Sequence, residues 1–156
     1  MRTDWSRSSK WHGRCFDARM AHTRVLVADV RDADDKIRDC LPGHDLVFVR
    51  TLSDAIRALR ADGFRLVIIG MHFDESRMFE LLQYVKALPD YREVPVICVQ
   101  CMEVALADAV LKNMDDAVKA LGGTAFVDLR DHVVHFRSQC DFLARLASQS
   151  TRFSPN

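Results

Sequence analysis

Several residues that could do chemistry stand directly after runs of apolar residues. Asp29 follows the run RVLVA, and Gly70 follows LVII, with His72 two positions further on. Cys101 ends a third run, VPVICVQC. Side chains at the carboxyl ends of buried parallel strands often form binding or catalytic sites. These positions are therefore the first candidates for a functional site.

Strands and helices are predicted to alternate along the chain. Five short apolar runs are typical of buried strands, and an amphipathic segment with helical spacing follows each of them. The predicted strands are RVLVADV, DLVFVRT, FRLVIIG, EVPVICVQC and TAFVDL. This alternation predicts an α/β fold in three layers, α/β/α, with a doubly wound parallel sheet in the flavodoxin-like order 2-1-3-4-5. In that order the ends of strands one and three meet, which brings Asp29 and Gly70 together.

Capping residues predict where the helices begin. Thr51 or Ser53 should cap the second helix, and Asp74 or Ser76 the third. Asp131 should cap the fifth helix, which places Phe136, Cys140, Leu143 and Ala147 on one side.

The fourth helix is predicted to be the longest, from Met102 to Leu121, because apolar residues recur there at helical spacing. Lys112, Asp115 and Lys119 should face solvent on this helix. Its inward stripe should consist of Val104, Ala107, Val110, Leu111, Met114, Val118 and Leu121.

The composition is that of one globular domain. The 156 residues carry no net formal charge, so neither nucleic acid nor an anionic membrane would attract the chain as a whole. No apolar run approaches the roughly 20 residues that a spanning helix needs. Five cysteines, an odd number without framework-like spacing, indicate reduced thiols in a cytoplasmic protein.

The domain boundaries follow from changes in composition. Residues 1–22 are basic, contain both tryptophans and show no periodicity, so we expect a disordered leader. Residues 23–148 should form the folded domain, and residues 149–156 a loose tail.

With these elements in place, the sequence resembles the receiver domain of bacterial response regulators over roughly residues 24–147. The similarity is carried by the order and spacing of RVLVADV, LVIIGMHFDESRMFELLQYVK, ALPDYREVPVICV and ALGGTAFV. In the last segment, Phe126 matches the family's switch aromatic.

The resemblance implies phosphoryl transfer from a histidine kinase to an aspartate, assisted by Mg²⁺ on an acid pair, a hydroxyl residue and a lysine. Asp29 matches the first acid, but Val30 stands where the second should be, and Gly70 falls on the acceptor. Gln100 replaces the hydroxyl residue and Leu129 the lysine. We therefore predict a degenerate receiver, or pseudo-receiver, with no catalytic residue, cofactor or metal.

A conventional receiver with relocated residues is a further possibility. A slip of one residue would offer Arg130 in place of the lysine, but Phe126, three residues before Leu129, favours the stated register. Asp32 and Asp74 could approach Asp29, although both lie on predicted loops.

Other pairs of reactive residues have simpler explanations. Cys98 and Cys101 form C-x-x-C, but residues three apart on a strand point to opposite faces, so we expect buried thiols that do not pair. His132 and His135 share the last helix without an evident third ligand, so we expect them to face solvent.

The sequence thus predicts a stand-alone pseudo-receiver in two-component or phosphorelay signalling, since no output domain follows the fifth helix. It should act by phosphorylation-independent contacts with a histidine kinase or another regulator, and not with nucleic acid or a membrane. In the family, helix four belongs to the partner surface, so Lys112, Asp115 and Lys119 are the predicted contacts.

A second hypothesis, from a different class, is a small-ligand or thiol-redox domain on the same fold. It would use the crevice near Asp29, Gly70, His72 and Cys101.

Overall fold

The computed structural model describes residues 24–130 and 135–149, and the predictions for residues 1–22, Asp131, His132 and the tail from 150 lie outside them. The strands are β1 Arg24–Ala28, β2 Asp45–Val49, β3 Leu66–Gly70, β4 Val96–Gln100 and β5 Ala125–Asp128. The α-helices are α1 Asp34–Cys40, α2 Leu52–Ala61, α3 Met78–Ala87, α4 Asp108–Ala120 and α5 Phe136–Ser148. Short 3-10 turns precede α1 at Arg31–Ala33 and follow α3 at Pro89–Tyr91.

The sheet is parallel throughout, in the order β2-β1-β3-β4-β5. The predicted fold class and strand order are therefore confirmed. Within the described residues no helix is long and apolar enough to cross a bilayer.

Each face of the sheet buries its own apolar cluster, because side chains alternate along every strand. Leu26 and Ala28 of β1 pack with α2, α3 and α4 on one face. Val25 and Val27 pack with α1 and α5 on the other. We call these the α2–α4 cluster and the α1–α5 cluster. Strands covered on both faces explain why the five apolar runs read as nearly continuous.

The predicted caps have mixed outcomes. Thr51 Oγ1 accepts a hydrogen bond of 3.1 Å from the Asp54 N–H, so the predicted cap of α2 is confirmed. The predicted cap of α3 is wrong, because α3 begins only at Met78 and no side chain caps it. Asp74 instead accepts a bond of 2.8 Å from the Leu52 N–H at the start of α2. Its backbone is left-handed, with φ of 40°, which a helix start does not allow.

The predicted extent of the fourth helix is also wrong. α4 begins at Asp108, and Met102–Ala107 is not helical. Val104 and Val110, predicted to point inward, are 45 % and 40 % exposed, and Val118 is the buried residue of the helix. Met114 and Leu121 do pack against the α2–α4 cluster, as predicted.

Two long side chains bind the main chain in and beside the non-helical segment Met102–Ala107. Lys36 Nζ lies 2.8 Å from both the Cys101 carbonyl oxygen and Glu103 Oε1. Arg130 donates a bond of 2.8 Å to the Val104 carbonyl oxygen. These tertiary contacts override a local pattern that favours helix.

The expectation that all cysteines are reduced is corrected for one pair. A disulfide joins Cys40, the last residue of α1, to Cys140 in α5, across 100 residues of sequence. The two helices cover the same face of the sheet, which is what brings the sulfurs together. Cys98 and Cys101 are free and buried, as expected.

Candidate functional site

The crevice at the carboxyl ends of β1 and β3 contains Asp29 and Gly70, as predicted. Ala28 pairs with Ile69 in the parallel ladder, so the next residues on the two strands are neighbours. Strand alternation turns Asp29, Gly70 and Cys101 towards the side of the sheet covered by the α1–α5 cluster.

The carboxylate of Asp29 occupies the space above the Cα of Gly70. A Cβ built on Gly70 would lie 1.9 Å from both Cγ and Oδ1 of Asp29 and 2.1 Å from Oδ2. Real Cβ atoms do not approach other heavy atoms this closely, so any side chain at position 70 must displace the carboxylate. The absence of a side chain at Gly70 is therefore a packing requirement of Asp29.

Asp29 is buried, with 3 % of its surface exposed, and is held by two hydrogen bonds. Oδ1 accepts a bond of 2.7 Å from the Val30 N–H, and the carboxylate also accepts one from the Cys101 thiol. Burial raises the pKa of Asp29 to about 6, and the nearby Asp34 carboxylate adds to the rise. The two hydrogen bonds and the positive charge of Arg50 favour the ionised form but do not outweigh the burial.

An ion pair beside the crevice was not predicted from the sequence. Arg50, just after β2, donates a bond of 2.9 Å to the main-chain oxygen of Asp29. The same guanidinium forms a bidentate pair with Asp34, with one bond of 2.8 Å to Oδ1. Asp34 is buried at the start of α1. An arginine after a strand and an acid in a helix's first turn are both common, so only the topology could have indicated that they meet.

The other residues that the sequence analysis matched to a receiver site are buried or packed within the chain. Leu129 is fully buried in the α1–α5 cluster, and Val30 packs against that cluster. Gln100 is fully buried, and its Nε2 donates a bond of 3.0 Å to the Met102 carbonyl oxygen. Its Oε1 has no hydrogen-bond partner among the described residues. Arg130, the alternative to Leu129, is engaged with Asp128 and the Val104 carbonyl oxygen.

The residues of the crevice do not fit Mg²⁺. This ion prefers an octahedral shell of oxygens with at least one ionised carboxylate. Asp29 is desolvated and already accepts bonds from two donors, while Gly70 and Val30 offer no side-chain oxygen. Asp32 is exposed and Asp74 is bonded to Leu52, so neither completes a set with Asp29. Within 24–130 and 135–149, no three His, Cys, Asp or Glu side chains are grouped to hold a metal.

The two free thiols, of which Cys101 belongs to the second hypothesis, are poorly suited to redox chemistry. Burial raises the pKa of Cys98 to about 12, and burial together with the Asp29 charge raises that of Cys101 above its usual range. Thiolates, the reactive species, are therefore strongly disfavoured at both. His72 is half-buried, and its Nε2 finds no hydrogen-bond partner within the described part of the chain. His135 is exposed just before α5.

The predicted partner residues on α4 form two ion pairs along the helix. Lys112 pairs with Asp116 at 2.9 Å, and Lys119 with Asp115 at 2.7 Å. The lysine side chains are 76 % and 55 % exposed, as predicted. Asp115 has a second role, because its Oδ1 accepts a bond of 2.9 Å from the Phe126 N–H in β5. Phe126 is half-buried and packs against the α2–α4 cluster.

Response-regulator receivers are among the solved structures with this architecture. A response regulator from Hahella chejuensis is 20% identical, with a TM-score of 0.64 over 81% of this chain and 95% of its own. A signal receiver domain of a DNA-binding response regulator from Colwellia psychrerythraea is 18% identical, with a TM-score of 0.61 over 81% and 98%. The chemotaxis response regulator CheY4 of Vibrio cholerae is 16% identical, with a TM-score of 0.60 over 80% and 98%. No protein-family model matches the sequence, and neither does any curated protein. The likeness establishes the receiver fold.

Replacing Asp29 by Asn should stabilise the protein at neutral pH and have little effect in acid. The folded-state pKa of about 6 exceeds the ordinary value of 3.8, so the folded state binds more protons between these limits and stability falls as pH rises through them. Above pH 6 the ionised Asp29 lowers the free energy of unfolding by about 3 kcal/mol, from roughly 1.4 kcal/mol per pKa unit. Denaturant unfolding of Asp29→Asn at pH 4 and pH 7.5 measures it, with exposed Asp32→Asn as control. An Asp29→Asn variant that is less stable than the parent by the same amount at both values would contradict the assignment.

Gly70→Ala should destabilise the protein by about 1–3 kcal/mol, because the new Cβ overlaps the Asp29 carboxylate. The same substitution in an Asp29→Ala background should cost much less, since the overlapping atoms are gone. Unfolding of the four members of this double-mutant cycle gives the coupling energy. Additive effects of the two changes would show that Asp29 does not pack on Gly70. Gly70→Asp should be destabilised as well, with at best weak Mg²⁺ binding, because it adds a like charge in a buried site.

Proposed function

We propose that this protein is a pseudo-receiver, a signalling module of the two-component or phosphorelay type that does not accept phosphate. The observation that carries the proposal is the Asp29 carboxylate packed on the Cα of Gly70. Phosphorylation of a receiver needs a carboxylate at position 70, a metal beside it and room for the phosphoryl group. The crevice has an acid in the wrong place, held by Val30 and Cys101.

The module is proposed to be cytoplasmic and non-enzymatic, and to work through protein contacts. Its partner would be a histidine kinase or another signalling regulator. Because the crevice is filled by its own side chains, the contacts are assigned to an outer surface. The exposed valines Val104 and Val110 and the lysines of α4 give that surface both apolar area and charge.

A phosphodonor assay tests the loss of phosphate acceptance. With Mg²⁺ and acetyl phosphate, intact mass should show no added phosphoryl group, while a receiver with an acceptor aspartate, treated in parallel, should be labelled. The physical reason is that no described carboxylate replaces the missing acceptor next to a metal site. Stoichiometric, hydroxylamine-sensitive phosphate on this chain would overturn the proposal.

Charge reversal on α4 tests the partner surface. Lys112→Glu and Lys119→Glu should weaken binding to the histidine kinase or regulator encoded beside this protein, because exposed interface charges act on association. Both lysines are exposed, so each change should alter stability by less than about 0.5 kcal/mol. Asp115→Lys should also weaken binding, but it removes the bond to Phe126 and so should destabilise the fold as well. Titration of each variant with the partner, next to an unfolding curve, separates the two effects.

Three control variants complete the partner test. Arg57→Glu reverses an equally exposed cation of α2, which pairs with Asp54 at 3.2 Å, and should bind like the parent. Asp29→Ala and His72→Ala alter the crevice and should leave binding nearly unchanged. If Asp29→Ala abolishes binding while the α4 reversals do not, the crevice is the working surface.

A further inference from the structure

The disulfide between Cys40 and Cys140 ties α1 to α5. The two Cα atoms are 4.5 Å apart, and the bond closes a loop of 100 residues. Cys40 is buried in the α1–α5 cluster at the last residue of its helix, and Cys140 is half-buried in α5. The sulfur pair therefore lies at the edge of the core, with one partner closer to solvent than the other.

The other described cysteines should react only slowly, because their thiols are buried. Cys98 and Cys101 are buried within or beside β4, and burial raises the pKa of each thiol. Their thiolates are too scarce to attack a disulfide or a reagent. Among the described residues, thiol–disulfide chemistry is thus concentrated at Cys40 and Cys140.

The opposite end of α1 is attached to the crevice. Asp34, its first residue, holds Arg50, which in turn binds the main-chain oxygen of Asp29. Two residues further on, Lys36 holds the Cys101 carbonyl oxygen and Glu103. α1 has only seven residues, and so short a helix depends on tertiary contacts for its stability. Breaking the disulfide at Cys40 should therefore destabilise the whole of α1 and weaken its contacts with the segment Met102–Ala107.

We propose that Cys40–Cys140 is a reversible thiol–disulfide site, and that its redox state sets how firmly α1 holds the crevice and the segment Met102–Ala107. The co-reactant is a dithiol reductant protein or a small cellular thiol. Its thiolate attacks Cys140 Sγ, the S–S bond breaks, and Cys40 leaves as a thiolate that takes up a proton. A second thiol resolves the mixed disulfide, so two electrons pass to the protein and the reductant becomes a disulfide.

This inference goes beyond the proposed function and depends on the described contacts of α1, not on the identity of the partner. It does connect to the partner surface, because Met102–Ala107 leads directly into α4 and contains the exposed Val104. In a reducing compartment, protein disulfides are mostly transient and redox-sensing, which is the behaviour proposed here.

The test uses the full chain equilibrated in glutathione buffers of graded ratio, with free thiols trapped by alkylation and mapped by mass. We expect Cys40 and Cys140 to change together from bonded to free across the series. Hydrogen exchange of the reduced protein should be roughly tenfold faster in 34–40 and 101–104 than in the oxidised protein, and unchanged in α3. Cys15→Ser and Cys98→Ala should keep this response, whereas Cys40→Ser with Cys140→Ser should behave as reduced in every buffer.

Three results would overturn the inference. Cys40 and Cys140 could be trapped as free thiols even in the most oxidising buffer, or remain bonded in the most reducing one. Reduction could also leave exchange in 34–40 unchanged. The comparison of oxidised and reduced parent protein suffices if the double serine variant does not fold. A phosphodonor assay on both redox forms keeps the two proposals apart, because labelling would contradict the pseudo-receiver and not the thiol site.

Discussion

The structure at the crevice depends on one close approach, between the Asp29 carboxylate and the Cα of Gly70. A buried carboxylate needs donors and space, and here the space exists only because residue 70 has no side chain. Val30 and Cys101 supply the donors, while Arg50 and Lys36 hold the main chain around it. The cost of burial remains visible in the raised pKa of Asp29.

The closed crevice and the late start of α4 at Asp108 are linked by shared contacts. Lys36 links α1 to Cys101 and Glu103, and Arg130 holds the Val104 carbonyl oxygen. Together they favour a non-helical path for Met102–Ala107, in which Val104 is exposed close to the start of α4. The pseudo-receiver proposed above would need to offer its partner a surface that exists without phosphate. The fixed contacts of this segment would provide such a surface.

The sequence predicted the fold because each strand is covered on both faces and reads as an apolar run. It also predicted that Asp29 and Gly70 lie together, because the order of the strands brings the ends of β1 and β3 next to each other. It failed where distant residues decide the outcome. Met102–Ala107 has a helical pattern but does not form a helix, because two long side chains from other elements bind the main chain at Cys101 and Val104. The disulfide joins residues 100 positions apart, which no local spacing reveals. Asp34 and Arg50 likewise meet only through the β1–β2 pairing.

The measurement that tests the central claim most directly is a carboxyl carbon NMR titration of Asp29, with and without Mg²⁺. A carboxylate buried on Gly70 and bonded to Val30 and Cys101 should titrate with a pKa of about 6. Its chemical shift should not respond to millimolar Mg²⁺, because no other carboxylate of residues 24–130 and 135–149 completes a metal site with it. A pKa near the ordinary value of 3.8, together with a shift that follows Mg²⁺, would mean that Asp29 faces solvent and binds metal, and would contradict the closed crevice.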